Sequence, residues 1–196
     1  MQVSVIIPVY NAANYVGQAV ESALAQPETS EILLIEDGSP DNSLEICCEL
    51  AKKHKKVTLL QHPNGENRGA GASRNLGMKN SKFDLIAYLD ADDYYLPGRF
   101  DVAKLIFQSD PTCNGVYGAM GRILEDPESF KRWNKADKPL NEIFTIKRLI
   151  EPEYLAESII SGRCGSFHLN SLVLKKSVLS RSGNFSTNLK LHQDTE

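Results

Sequence analysis

The chain has 196 residues, 41% hydrophobic and 24% charged, enough to bury one core as a single domain with or without a smaller appended lobe. Its formal net charge of -3 and the dispersal of lysine and arginine, broken only by the cluster around His54, argue against a nucleic-acid surface. Cys47, Cys48, Cys113 and Cys164 have neither CxxC spacing nor histidine partners suited to zinc, so reduced thiols are expected and a catalytic thiol is not.

Residues 3–7 are rich in β-branched side chains and run into Pro8, which predicts a central strand ended by that proline. A strand starting at Val3 leaves no room for a signal peptide, and no apolar run approaches the ~20 residues needed to span a bilayer, so a cytoplasmic protein is expected. From Asn14 onward, Tyr15, Val16, Ala19, Val20, Ala23 and Leu24 recur at helical spacing, and Pro27 closes the segment. Residues 32–35 form a second short apolar strand ending in Glu36, Asp37, Gly38 and Ser39. Ser39 is placed to cap a helix with Pro40 at its first position and with Leu44, Ile46, Cys47 and Leu50 on its buried face.

A third strand is expected over residues 57–60, a helix over 71–78 and a fourth strand over 85–89. Past Pro97 a helix runs through Val102, Leu105, Ile106 and Phe107, and residues 116–124 read as another strand. Residues 125–152 are polar, contain Pro127, Trp133 and Pro139, and read as a long excursion over the sheet. Strand character resumes at 169–174, followed by a short helix over 175–179. Alternating strands and helices imply parallel strands with right-handed crossovers, in which ligands bind beyond the carboxyl ends of the strands. Asn11, Asp37, the 67–74 loop and Asp90 to Asp93 all fall at such ends.

The fourth strand ends in Asp90, Asp92 and Asp93, three carboxylates within four residues. Like charges held together repel, so a fold that keeps them there implies a cation, and hard oxygen ligands suit Mg²⁺ or Mn²⁺. An ion held by two or three carboxylates commonly shares its remaining positions with water and substrate phosphates, which directs attention to a nucleotide. A solvated turn is the competing reading.

Together, Pro8-Val9-Tyr10-Asn11, Glu36-Asp37-Gly38-Ser39, Asn67-Arg68-Gly69 with Arg74-Asn75, and Asp90-Ala91-Asp92-Asp93 resemble the family 2 glycosyltransferases. The match recurs at Gly183-Asn184-Phe185 and at the segment from His192 to Glu196. The resemblance implies an A-type glycosyltransferase fold: a single Rossmann-like α/β domain whose mostly parallel central sheet is flanked by helices, with a smaller acceptor-side region. Residues 1–100 would form the nucleotide-sugar-binding half and 101–196 the acceptor-side half of the same domain. Because the chain stops directly after the last motif, a C-terminally truncated core is expected.

By the same resemblance, Pro8, Val9, Tyr10 and Asn11 would hold the base of a nucleotide diphosphate sugar, with Asp37 accepting a hydrogen bond from it. Asp37 could equally order the Gly38 turn, and Asn11 could simply cap the first helix. Arg68 and Arg74 would approach the nucleotide, or would pair with Asp37 or Asp90 and hold the loops together. Asp92 would meet the ribose or diphosphate and share metal binding with Asp93, with Asp90 behind them.

The implied reaction is metal-dependent transfer of one sugar, from a UDP-sugar for preference, to an acceptor hydroxyl by single displacement with inversion. Asp194 occupies the place of the general base, although Gln193 stands where a glutamate is frequent; an ordinary tail carboxylate is the alternative. Arg132 and Trp133 lack the preceding glutamine of the polymerising members' motif, which favours one sugar at a time. The expected partners are the donor and a glycan or lipid-linked glycan acceptor in cell-surface polysaccharide synthesis, with peripheral membrane association open and the oligomeric state unreadable. A noncatalytic nucleotide-sugar-binding protein is the rival. A nucleotidyltransferase fits less well, because residues 8–14 contain no glycine to cradle phosphate.

Overall fold

The computed structural model describes residues 1–123, 150–162, 164–165 and 168–187, together with positions 128, 131, 143, 145 and 146. It divides into two compact units, Met1–Val116 with Leu172–Glu196, and Tyr117–Ser171. The six strands are β1 (Val3–Val9), β2 (Thr29–Glu36), β3 (Val57–Gln61), β4 (Leu85–Tyr88), β5 (Gly115–Tyr117) and β6 (Leu172–Lys175). They form one sheet in the order β3-β2-β1-β4-β6-β5. The β1, β2, β3 and β4 pairings are parallel, and β6 runs antiparallel to β4. The chain therefore steps outward from β1 to β3 and then crosses to the other side of β1 for β4. Loops leaving β1 and β4 diverge at that reversal, which opens a crevice at their carboxyl ends.

The strand at Pro8 is longer than expected, since β1 continues through Pro8, opposite Ile35, to Val9. The physical reason lies in which neighbour each residue faces. Val9 accepts from the Asp37 amide on the β2 side, while Ile6 accepts from the Leu89 amide on the β4 side. Pro8 shares the parity of Ile6 and so turns its missing donor toward β4, whose ladder ends where Tyr88 pairs with Ile6. The β4 ladder stops one step before Pro8, where its next bond would need that donor, while pairing to β2 continues on the other edge.

The helices of the first unit are α1 (Val16–Leu24), α2 (Ser43–Lys53), α3 (Gly69–Asn80) and α4 (Asp101–Ser109). Val16, Ala19, Val20 and Ala23 bury one stripe of α1, and Cys47 and Leu50 do so for α2. Leu44 of α2 and Tyr15, just before α1, are exposed instead of buried. Helix α3 lies flush against the sheet because Gly77 has no side chain, and a Cβ there would stand 2.5 Å from Ile6 Cγ2. Helix α4 buries only Ala103 and leaves Val102 and Leu105 exposed.

In the second unit, α5 (Pro152–Ile160) begins with a proline at its first turn, and a 3-10 turn spans Leu169–Ser171, where a strand was expected. The strand expected over 116–124 is the three-residue β5, with Gly118 and Gly121 following it. Chain Leu172–Ser182 returns to the first unit as β6 and α6 (Lys176–Ser182). Arg132 and Trp133 lie outside the described residues, as does Asp194. Among the described residues, no helix is long and apolar enough to cross a membrane.

Candidate functional site

The loop after β1 is fixed by three consecutive amides. Asn11, Ala12 and Ala13 donate to Ser39 Oγ (3.1 Å), Ser43 Oγ (2.9 Å) and Asp41 Oδ2 (3.0 Å) respectively. This holds Asn11 in the left-handed region at φ 52, where asparagine is among the better tolerated residues. The Ser39 amide is in turn held by Glu36 Oε1, whose other oxygen accepts from Gln61. Because Ser39 Oγ is committed to Asn11, it does not start a helix. Helix α2 begins four residues later, where Asp41 Oδ1 accepts from both the amide and the hydroxyl of Ser43. The Ser43 hydroxyl, with the Ala13 amide next, holds the Asp41 carboxyl below the usual carboxylate range.

Asp37 closes β2 and is 2% exposed. Its Oδ1 accepts from the Arg68 amide at 2.7 Å and its Oδ2 from the Gly69 amide at 2.8 Å, so it satisfies two free donors at the N-terminus of α3. A carboxylate offers about four lone-pair sites, which leaves Asp37 acceptor capacity on its open side. Gly38 lets the 65–67 loop come close. Its φ is +68, and a Cβ would lie 2.7 Å from the Gly65 carbonyl oxygen.

At the end of β4, Arg74 Nη2 donates to Asp90 Oδ1 at 2.9 Å. Arg74 is buried, its Nε has no hydrogen-bond partner among the described residues, and its Cζ lies 5.7 Å from the Phe185 ring centroid. Neighbouring Asn75 exchanges two hydrogen bonds with the Phe185 backbone. The late Gly-Asn-Phe segment is thereby tied to α3. The Asp93 amide donates to the Asp90 carbonyl in a tight turn, and an oxygen of each carboxylate lies within 4.8 Å of the other. Asp92 is exposed beside them.

A pocket of about 350 Å³ is lined by Pro8, Val9, Tyr10, Asn11, Asp37, Arg74, Asp90 and Asp92, with Ala12, Tyr15, Ala70 and Ala91 completing the wall. Its size is that of a small-ligand site. Of the sequence-expected site residues that are among the described ones, all but two converge there. The Arg68 side chain pairs with Glu66 and lines a separate, larger cavity of about 820 Å³, and Asp93 stands beside Asp90 outside the pocket wall. Tyr15 was missed because helical spacing assigned it to a buried face; it is 41% exposed at the pocket. Cys47 is buried on α2 and burial pushes its thiol up to about 12, which suits a core residue and not a nucleophile.

The Glycosyl transferase family 2 model matches residues 4–172. The minor teichoic acid biosynthesis protein GgaB of Bacillus subtilis is 29% identical over 196 residues, an alignment covering 98% of this chain and 20% of GgaB. The crystal structure of TarS from S. aureus superposes with a TM-score of 0.70 at 20% identity, covering 100% of this chain and 53% of that one, and TarS has been solved with UDP and with UDP-GlcNAc. The mannosyltransferase PcManGT from Pyrobaculum calidifontis, solved with GDP-Man and Mn²⁺, gives a TM-score of 0.63 at 20% identity over 99% of this chain and 50% of its own. The chain spans between 13% and 36% of the length of eight curated relatives it matches. The sheet is that of the A-type glycosyltransferase fold, and the match over 4–172 makes this chain a member of glycosyl transferase family 2.

Proposed function

We propose that this chain moves a sugar from a nucleotide diphosphate sugar, a UDP-sugar for preference, to an acceptor hydroxyl in the cytoplasmic assembly of a cell-surface polysaccharide. The observation that carries the reading is the convergence of Asp37, Arg74, Asp90 and Asp92 on one pocket at the β1/β4 reversal. Residues 8–11 and Asp37 would receive the base, Tyr10 and Tyr15 offering ring surface, and Arg74 and Asp92 would face the ribose and diphosphate. Arg68 would approach only by leaving Glu66. The name of one relative, the minor teichoic acid biosynthesis protein GgaB, supports the polysaccharide setting, and the UDP and UDP-GlcNAc complexes of the fold neighbour TarS support this class of donor.

A divalent ion, Mg²⁺ or Mn²⁺, fits the donor set. Asp93 and Asp90 bring hard oxygens within 4.8 Å of each other, and Asp92 beside them would share the ion with Asp93. When bound, such an ion neutralises charge growing on the departing diphosphate. Asp90 keeps one oxygen on Arg74, so that cation holds the carboxylate in register beside Asp93. The acceptor, a glycan or lipid-linked glycan, would be met by the 101–196 half. Its hydroxyl gives its proton to Asp194, the oxygen attacks the anomeric carbon, and the nucleoside diphosphate leaves from the opposite face with inversion.

Transfer from a panel of UDP-hexoses in Mn²⁺, with the product anomer read from its proton coupling constant, tests this reading. Asp194→Asn should lower turnover by roughly 10²–10⁴ while leaving UDP binding intact. Unchanged turnover would remove Asp194 as the base, and donor binding without any transfer would favour the noncatalytic reading.

A further inference from the structure

Asp37 has a third neighbour that the donor site does not use. His62, the first residue after β3, is 7% exposed, and its Nε2 lies 3.0 Å from Ser73 Oγ and 3.5 Å from Asp37 Oδ1. Ser73, on α3, is fully buried. The same nitrogen faces both partners, so this is no relay in which a proton passes across the ring. Asp37 Oδ1 is an acceptor, and only the tautomer carrying hydrogen on Nε2 presents it with a donor; the opposite tautomer would set a lone pair against the carboxylate.

His62 also stands between two hollows. Its ring lines the cavity of about 820 Å³ together with Arg68, Leu76 and Met78, whereas Asp37 lines the pocket of about 350 Å³. A ring placed there blocks water from reaching Asp37 from behind. Asp37 otherwise depends on two amides at a helix start, Arg68 and Gly69, and helix ends fray.

We infer that His62 is a positioning residue of the donor site, holding Asp37 in the orientation that receives the base and closing the larger cavity behind it. The inference rests on the nucleotide reading of the pocket. It acts through Asp37 and involves no contact with the nucleotide.

UDP titration in Mn²⁺ on wild type, His62→Gln and His62→Met tests it, with thermal denaturation of each. Glutamine and methionine match in length and volume and differ in the donor. Methionine should weaken UDP binding by about two- to threefold, the lower end of what a net hydrogen bond contributes because 3.5 Å is a long contact, while glutamine restores most of the affinity. Folded His62→Met binding UDP as tightly as wild type overturns the inference, and so does equal weakening in both variants. Wild type that binds no nucleotide overturns the nucleotide reading first and this role with it. Should His62→Met not fold, the imidazole ¹⁵N resonances of wild-type His62 serve instead: they should move on UDP addition, and unmoved resonances overturn the role.

Discussion

Arg74 donates to Asp90 across 2.9 Å with the arginine side chain 7% and the aspartate side chain 29% exposed, so one end of this ion pair is buried and the other reaches the pocket. Removing the cation leaves Asp90 near Asp93 without the charge that Arg74 supplies. Losing one partner of a fully buried pair costs about 3–5 kcal/mol, and the exposure of Asp90 reduces that to roughly 1–3 kcal/mol for Arg74→Ala. Urea denaturation measures it. Part of the loss should return in Mn²⁺, since a metal at Asp90 and Asp93 replaces the missing charge. A variant as stable as wild type without metal would show that the pair does not hold the loop.

Gly38→Ala should be among the more damaging single substitutions. The φ of +68 costs alanine about 1–2 kcal/mol, and its Cβ would meet backbone at 2.7 Å from Gly65 and 2.9 Å from Asn67. Backbone cannot rotate aside, so overpacking adds roughly 1–3 kcal/mol. The Asp37 carboxylate should shift with the displaced loop, and UDP affinity should fall together with the melting temperature.

Asp41 sets a pH dependence. Its folded-state pKa is depressed, first by the Ser43 hydroxyl and then by the Ala13 amide. The stability it contributes is therefore fully present above the unfolded value, about 3.9, and is lost as pH falls through the lower folded value. Asp41→Asn should be less stable than wild type by a constant margin from about pH 5 to about pH 8, where the carboxyl is ionised in both the folded and the unfolded chain. The margin should close in acid. A margin that persists below the folded pKa would mean that Asp41 acts by shape and not by charge.

Much of this arrangement was legible beforehand because it rests on local chemistry. The apolar runs at 3–7, 32–35 and 85–89 became β1, β2 and β4, and their polar ends met at one pocket because parallel strands point their carboxyl ends the same way. The Asn75–Phe185 pairing joined two motifs separated by 110 residues that the family resemblance had already linked. The illegible parts depend on tertiary partners. Nothing in helical spacing shows that Ser39, Asp41 and Ser43 serve amides 28–31 residues earlier, and so α2 started later than its proline suggested. Pro8 does end the ladder toward β4, and only the tertiary pairing to β2 on the other edge carries β1 on to Val9. The Arg68 backbone amide goes to Asp37 while its guanidinium goes to Glu66, a split between main chain and side chain that the residue's place in the motif does not show.

The central claim is that the pocket at the β1/β4 reversal takes a nucleoside diphosphate with a metal held by Asp93. Calorimetric titration of UDP with and without Mn²⁺, on wild type and on Asp93→Ala, tests it most directly. The account predicts binding that strengthens with Mn²⁺ in wild type and loses that dependence in Asp93→Ala. Failure of UDP, GDP and dTDP alike to bind wild type in Mn²⁺, or metal-dependent binding that survives Asp93→Ala, would contradict it.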